Sequence, residues 1–149
     1  DSDNTHPVSL IPKMSNLIKF KRYDIVIASR FKSGGKVKGL SSFRTFLSIG
    51  AKLIFNLFIN INNVDDYTCN FRAYKYDILK KSNLINKKFF SNKDFSIAAD
   101  LLININKRIK NLRIFEVPLV LRYDNKIGES KMNVGRTILK TLNLIIRNF

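Results

Sequence analysis

The chain has one cysteine, one histidine, three prolines and six glycines in 149 residues, and only 11 acids against 27 Lys and Arg. The single cysteine, Cys69, excludes an internal disulfide and suits a reducing compartment. The single histidine, His6, has no second histidine or further cysteine to share a zinc ion, so capping or support of a neighbour is its default role. No Pro-, Gly- or Ser-rich tract marks a linker and no internal repeat appears. One compact domain therefore accounts for the length and the 45% hydrophobic content. Long apolar runs are also missing. The longest, Ile49 to Ile61, is broken by Lys52, Asn56 and Asn60, well short of the ~20 apolar residues a spanning helix needs.

Acids are scarcest where cations gather. The formal net charge is +16, a field that attracts nucleic acid, anionic lipid or phosphate ligands. From Ile25 through Val64 there is no acid, while Arg30, Lys32, Lys36, Lys38, Arg44 and Lys52 all fall there. Ser130 to Phe149 is likewise acid-free. High Asn, Ile and Lys usage also fits an AT-rich coding bias, in which case part of this charge is only solvated surface.

The periodicities place elements along the chain. Pro7 at a first helical position, capped by Thr5 or His6, predicts a helix to about Phe20. Asp24 to Ser29 is a β-branched apolar run, hence a buried strand, whose end delivers Ser29 and Arg30 to the carboxyl edge of a sheet, where open α/β sheets bind ligands. Lys32 to Ser42, with Gly34, Gly35 and Gly39, reads as a flexible loop. Helices are predicted from Phe43 to about Ile61, from Tyr76 to Leu84, from Asp94 to Arg108, and from Met132 or Val134 to Phe149. Arg72 to Lys75 reads as a short strand. Leu112 to Leu121 reads as one strand that Pro118 confines to an edge or an end.

Two helices are amphipathic in an informative way. Arg44, Ser48 and Lys52 recur every four residues, so two cations and a hydroxyl share one face, with Leu47, Ile54, Leu57, Phe58 and Ile61 as an apolar stripe beside it. With Arg30 near, this forms a cradle for an anionic lipid phosphate, although an ordinary surface helix has the same pattern. In the last helix Val134, Ile138, Leu142, Ile145 and Phe149 oppose Arg136, Lys140, Asn143 and Arg147. That pattern fits a helix lying in a bilayer interface and equally a core-facing helix with a solvated back.

The chain opens on Asp1-Ser2-Asp3, two carboxylates one residue apart. Alone, Asp-x-Asp is most often a solvated turn. Some 120 residues later come Arg122 and Gly128-Glu129-Ser130-Lys131. A hard divalent cation takes carboxylate oxygens and leaves positions open for phosphate, while Arg and Lys take the remaining phosphate charge. Anionic and cationic groups of this kind are what a metal-bridged diphosphate needs.

The order Asp1-Ser2-Asp3-Asn4-Thr5-His6-Pro7, Asp24-Ile25-Val26-Ile27-Ala28-Ser29-Arg30-Phe31, Asp66-Tyr67-Thr68-Cys69-Asn70-Phe71-Arg72-Ala73-Tyr74, Glu116-Val117-Pro118, and Arg122 with Gly128-Glu129-Ser130-Lys131 resembles the dolichol-phosphate mannosyltransferase branch of the family 2 glycosyltransferases. The resemblance covers nearly the whole chain but only the second half of that family's catalytic domain. It implies an α/β nucleotide-sugar transferase fold of GT-A type, incomplete, starting at the Asp-x-Asp motif, with residues 1–149 one partial domain and 132–149 a candidate membrane-interface helix. It also implies Mg²⁺ or Mn²⁺ on Asp1 and Asp3. Asp66, Arg72, Arg122, Ser130 and Lys131 are implied on the side of a GDP- or UDP-linked sugar donor, and Arg30, Arg44 and Ser48 at the phosphate of a polyprenyl acceptor. The implied reaction is inverting transfer of a mannose- or glucose-type sugar at the cytoplasmic face of a membrane, by a protein held there peripherally or by segments absent here.

Two departures from the family stand out: Cys69-Asn70 where members commonly have a glycine, and Asp100 where Glu is usual. Two other readings compete. One is a related transferase with a saccharide or protein acceptor, which needs a carboxylate base that no residue here identifies. The other is a non-enzymatic basic module for membrane or RNA. Most Phe and Tyr fall at apolar-periodic positions rather than between cations, so nucleic acid is not the expected partner. The transferase reading requires Asp1, Arg30, Asp66 and Arg122 to converge on one edge of the sheet.

Overall fold

A computed structural model describes residues 5–84, 97–125 and 134–148, apart from the side chains of Asn125, Val134 and Arg136. Asp1, Asp3, Ser130 and Lys131 lie outside the described residues. The architecture is mixed α/β with a small sheet. Strand β1 (Ile25–Ser29) sits at the centre, antiparallel to β3 (Arg72–Tyr74) on one side and parallel to β4 (Ile114–Pro118) on the other. All five β1 residues are buried because successive side chains point to opposite faces and both faces are covered. Val26 and Ala28 meet Met14, Leu10 and Leu17 of α1 (Leu10–Lys19). Ile25 and Ile27 join Leu102, Ile103 and Ile105 of α4 (Ile97–Arg108), Phe55 of α2 (Ser42–Phe58), and Leu144 and Ile145 of α5 (Val134–Asn148). The short helix α3 (Tyr76–Lys81) follows β3.

The glycine-rich stretch is more ordered than its composition predicts. Lys36–Lys38 forms β2, parallel to β5 (Val120–Arg122), with Val37 opposite Leu121. The predicted strand from Leu112 to Leu121 is therefore two strands joined at Leu119. Pro118 has no N–H to continue the ladder, and Leu119 changes partners: its N–H donates to Ser29 O, and its carbonyl accepts from Lys36 N–H, each at 2.9 Å. This joint aligns the end of β1 with β2 and β5. Gly35 is required beside it, because a Cβ there would stand 2.7–2.8 Å from the carbonyl oxygens of Ser29, Arg30 and Lys32.

Few glycines are needed elsewhere, since asparagine is the non-glycine residue that best tolerates a left-handed backbone. Asn60, Asn63, Asn83 and Asn111 all have positive φ. Cys69 and Asn70 do not. The turn where the family commonly has a glycine thus makes no left-handed demand here, and the departure is harmless to the backbone.

Candidate functional site

The carboxyl ends of β1 and β4 bring several of the sequence-predicted residues together. Arg30 follows the last residue of β1, and its guanidinium is claimed by Asp66. Nε donates to Asp66 Oδ2 at 2.8 Å, Nη2 to Oδ1 at 2.7 Å, and the Arg30 main-chain N–H to Oδ2 at 3.0 Å. Nη2 also donates to Thr68 Oγ1 at 2.6 Å. The Asp66 side chain is fully buried and that of Arg30 is 12% exposed. Burial pushes the Asp66 carboxyl up, but the hydrogen bonds and charge of Arg30 outweigh this and hold it below the ordinary carboxylate value. Burial likewise opposes the charge on Arg30, and the Asp66 contacts raise its pKa regardless.

Helix α2 is anchored to the same place. Lys52 Nζ pairs with Asp65 Oδ1 at 3.0 Å, and Asn56 Nδ2 donates to the same oxygen at 3.3 Å. Lys52 Nζ lies 5.0 Å from the centre of the Phe31 ring, and the Arg30 guanidinium lies 5.4 Å from that centre. The first two acids after the acid-free stretch therefore pair with two of its cations. Arg44 and Ser48 are half-buried on the same side of the helix as Lys52, because residues four apart on a helix lie nearly above one another. The Arg44 side chain makes no ion pair among the described residues.

At 100° per residue, Phe46, Leu53 and Leu57 lie opposite that cationic row, and they are 61–74% exposed. Only Phe55 of α2 is fully buried, stacked on Tyr67 at 4.7 Å. Of the apolar stripe beside that row, Ile61 is buried and Ile54 packs against the core, while Leu57 and Phe58 are exposed. Helix α5 also does two things at once: Leu144 and Ile145 enter the core, while Leu139 and Ile146 are exposed. Ile145, expected beside Ile138 and Leu142, belongs to the buried side.

Arg72 lies beneath the loop that carries Asp66. Its guanidinium donates to the carbonyl oxygens of Ala98 at 2.6 Å, Tyr67 at 2.7 Å and Asp66 at 3.1 Å. Arg122, at the end of β5, is exposed and forked onto Asp124, with Nη2 to Oδ2 at 2.7 Å. Such a contact is open to competition from a phosphate. Its main-chain N–H donates to Thr5 O at 3.1 Å, so Thr5, two residues beyond the Asp-x-Asp motif in sequence, lies against Arg122. Thr5 is buried there, and His6 meets Phe71 edge-on at 5.4 Å. Among the described residues no group of three or more His, Cys, Asp or Glu is arranged to hold a metal ion.

The strongest feature to which the sequence assigned no role is Glu116, which stands there only within a motif. It is 4% exposed in β4, and one of its oxygens, Oε1, accepts the main-chain N–H groups of both Asp65 and Asp66 at 2.9 Å. A carboxylate within the otherwise apolar run from Ile114 to Val117 was the signal, since a buried charge is costly unless hydrogen-bonded.

No protein-family model matches the chain. It is 28% identical over 135 residues to an undecaprenyl-phosphate mannosyltransferase of Micrococcus luteus, covering 91% of this chain and 52% of that protein. It is 30% identical over 148 residues to a dolichol-phosphate mannosyltransferase of Pyrococcus furiosus, covering 99% of this chain and 38% of that protein. The chain is related to the dolichol-phosphate mannosyltransferase-like glycosyltransferases. The resemblance carried by its motifs is thus matched along most of its length, and the chain spans about half or less of these curated relatives.

Cys69 belongs to this site only as filler. Its thiol is buried, and burial together with the nearby Asp66 charge pushes its pKa to about 11. At pH 8 only about one thiol in a thousand is then ionised, and the thiolate is the reactive form. Alkylation by iodoacetamide is expected to be slow in the folded protein and to become fast on addition of denaturant, followed by mass spectrometry.

Proposed function

We propose that the chain forms the acceptor side and part of the donor side of a GT-A-type inverting glycosyltransferase. It moves a mannose- or glucose-type sugar from a GDP- or UDP-linked donor to a polyprenyl phosphate at the cytoplasmic face of a membrane. The observation that carries this reading is the Phe31 ring, which has Arg30 and Lys52 beside it and so ties the cationic row of α2 to the end of β1. The names of the relatives supply the acceptor class, a polyprenyl phosphate, and the mannosyl group.

The chemistry asks for charge placement rather than a general base. An acceptor phosphate is ionised near neutral pH, so its oxygen attacks the anomeric carbon directly. As that bond forms, the bond from the same carbon to the donor diphosphate breaks and the nucleoside diphosphate leaves. Arg30, Arg44 and Ser48 hold the acceptor phosphate, with donors aimed at its oxygens. Arg122, Ser130 and Lys131 take the charge of the leaving group, while Asp66 and Arg72 shape the wall between the two sides. Asp1 and Asp3 offer the hard oxygen ligands that suit Mg²⁺ or Mn²⁺. A divalent cation there supplies neutralisation of the diphosphate.

The apolar outer rows of α2 and α5 support a membrane-facing role. No helix among the described residues is long and apolar enough to cross a membrane, yet Phe46, Leu53, Leu57, Leu139 and Ile146 are exposed on helices that contact one another. Exposed rings on α2 sit in an apolar row with leucines rather than between cations, which favours lipid over stacked bases.

Arg44→Ala tests the acceptor assignment. In the full-length protein it is expected to raise the acceptor KM roughly tenfold, the equivalent of one charge-assisted hydrogen bond. The donor KM should stay nearly unchanged. An equal loss of donor affinity would overturn the assignment.

A further inference from the structure

Arg30 can serve an acceptor phosphate only if it is aimed. Nε and Nη2 are both committed to Asp66 and Thr68, while Nη1 makes no hydrogen bond among the described residues. The one free edge of this guanidinium is therefore set by where Asp66 stands. Asp66 is not in a strand or helix; it lies in the connection between α2 and β3, where the main chain has no ladder to hold it.

That connection is gripped from both sides by side chains. Glu116 Oε1 takes the N–H groups of Asp65 and Asp66, both at 2.9 Å, and Arg72 Nη2 takes the carbonyl oxygens of Asp66 and Tyr67. Glu116 reaches across from the central sheet, where it stands opposite Ile27 of β1. Arg30 follows three residues after Ile27 on that same strand. The grip thus refers the Asp66 carboxylate, and through it the guanidinium, to the central β1–β4 strand pair. A buried carboxylate in an apolar strand is otherwise a liability. Of the charged groups around it on the adjoining segments, Arg30 and Lys52 are paired with Asp66 and Asp65, and Arg72 donates to main-chain carbonyls.

We propose that Glu116 is a positioning residue for the acceptor phosphate, acting through the main chain of Asp65 and Asp66 to aim Nη1 of Arg30. This rests on the reading of Arg30 as an acceptor ligand. What the role requires is an acceptor oxygen at a fixed reach, not a negative charge. Glutamine satisfies it, because its amide oxygen accepts both N–H groups at the same distance. Aspartate does not, because it is one methylene shorter and keeps only the charge. A direct electrostatic role for Glu116 would give the reverse order.

The test measures binding of undecaprenyl phosphate in detergent micelles to the full-length protein, for Glu116→Gln, Glu116→Asp, Glu116→Ala and Arg30→Ala, with thermal melting recorded for each. Glu116→Gln is expected to bind within about threefold of the unaltered protein, and Glu116→Asp at least about tenfold more weakly, the loss of an aimed charge-assisted hydrogen bond. Glu116→Ala should match or exceed the aspartate loss. If it does not fold, the Gln and Asp pair decides. Glu116→Asp binding as well as Glu116→Gln, or better, while Arg30→Ala weakens binding, would overturn the positioning role alone. Unchanged binding in Arg30→Ala would instead overturn the acceptor reading, and the role of Glu116 with it.

Discussion

Replacing Asp66 with alanine is expected to cost about 3–5 kcal/mol of folding stability, the usual consequence of removing one partner from a buried ion pair. The estimate applies because Asp66 is fully buried and Arg30 nearly so, leaving the guanidinium with no carboxylate and little water. The loss extends beyond the pair, since Asp66 also accepts the main-chain N–H of Cys69 at 3.0 Å and organises the turn into β3. Asp66→Asn should fall between, because one oxygen remains but an amide N–H₂ now faces the donors of Arg30. Urea unfolding followed by circular dichroism measures both variants. The pH dependence gives an independent check. The folded-state pKa of Asp66 is lowered from the ordinary 3.8, so its contribution is full above that value and disappears as pH falls through the depressed folded-state value. Asp66→Ala should therefore flatten the acid limb of the stability curve. An unchanged acid limb would mean that the carboxylate is not the paired anion described here.

The second large effect concerns the donor. In the full-length protein, Asp3→Asn removes one ligand charge without changing size, so metal-dependent donor binding should fall steeply while the fold persists. A bound cation stabilises phosphate charge by several kcal/mol. At 1.4 kcal/mol per tenfold, the loss is on the order of a hundredfold or more. Lys131→Ala should weaken the same step and leave acceptor binding largely unchanged. Calorimetric titration of the nucleotide-sugar donor, with and without Mg²⁺ or Mn²⁺, reads both. Full transfer activity of Asp3→Asn after strict removal of divalent ions would exclude the metal-bridged route.

The parts of this fold legible in the sequence were those decided by short-range pattern. β1 was legible because five apolar or small residues run together between polar ends, and both faces of that strand are covered. Strand β2 was not, because Lys36-Val37-Lys38 has one apolar residue among glycines, and its partner is β5, near residue 121. The split at Leu119 was only half legible. Pro118 announced an end, but the handover from Ser29 to Lys36 depends on segments far apart in the chain. The covered face of α2 was not legible, because apolar residues occupy much of its circumference and periodicity alone does not say which part the sheet covers. At the site, Arg30, Arg44 and Ser48 were singled out by helical spacing and by resemblance to the family. The clasp of Asp66 on Arg30 and the grip of Glu116 on the chain at Asp65 and Asp66 were not, since both join residues dozens of positions apart.

That separation governs the order in which the molecule comes together. Arg30 and Asp66 are 36 residues apart, Glu116 lies 50 residues beyond Asp66, and the main-chain N–H of Arg113 meets Asp24 across 89. Closing such loops costs entropy before any contact offsets it, so assemblies of this kind form slowly. During synthesis the ion pair has both its members well before β4 exists. Until Ile114 to Pro118 leave the ribosome, β1 has no parallel neighbour and Asp66 has nothing to hold its main chain. The surroundings of Arg30 are therefore complete only once β4 is in place, and a nascent chain stopped short of residue 114 carries the ion pair without the grip of Glu116.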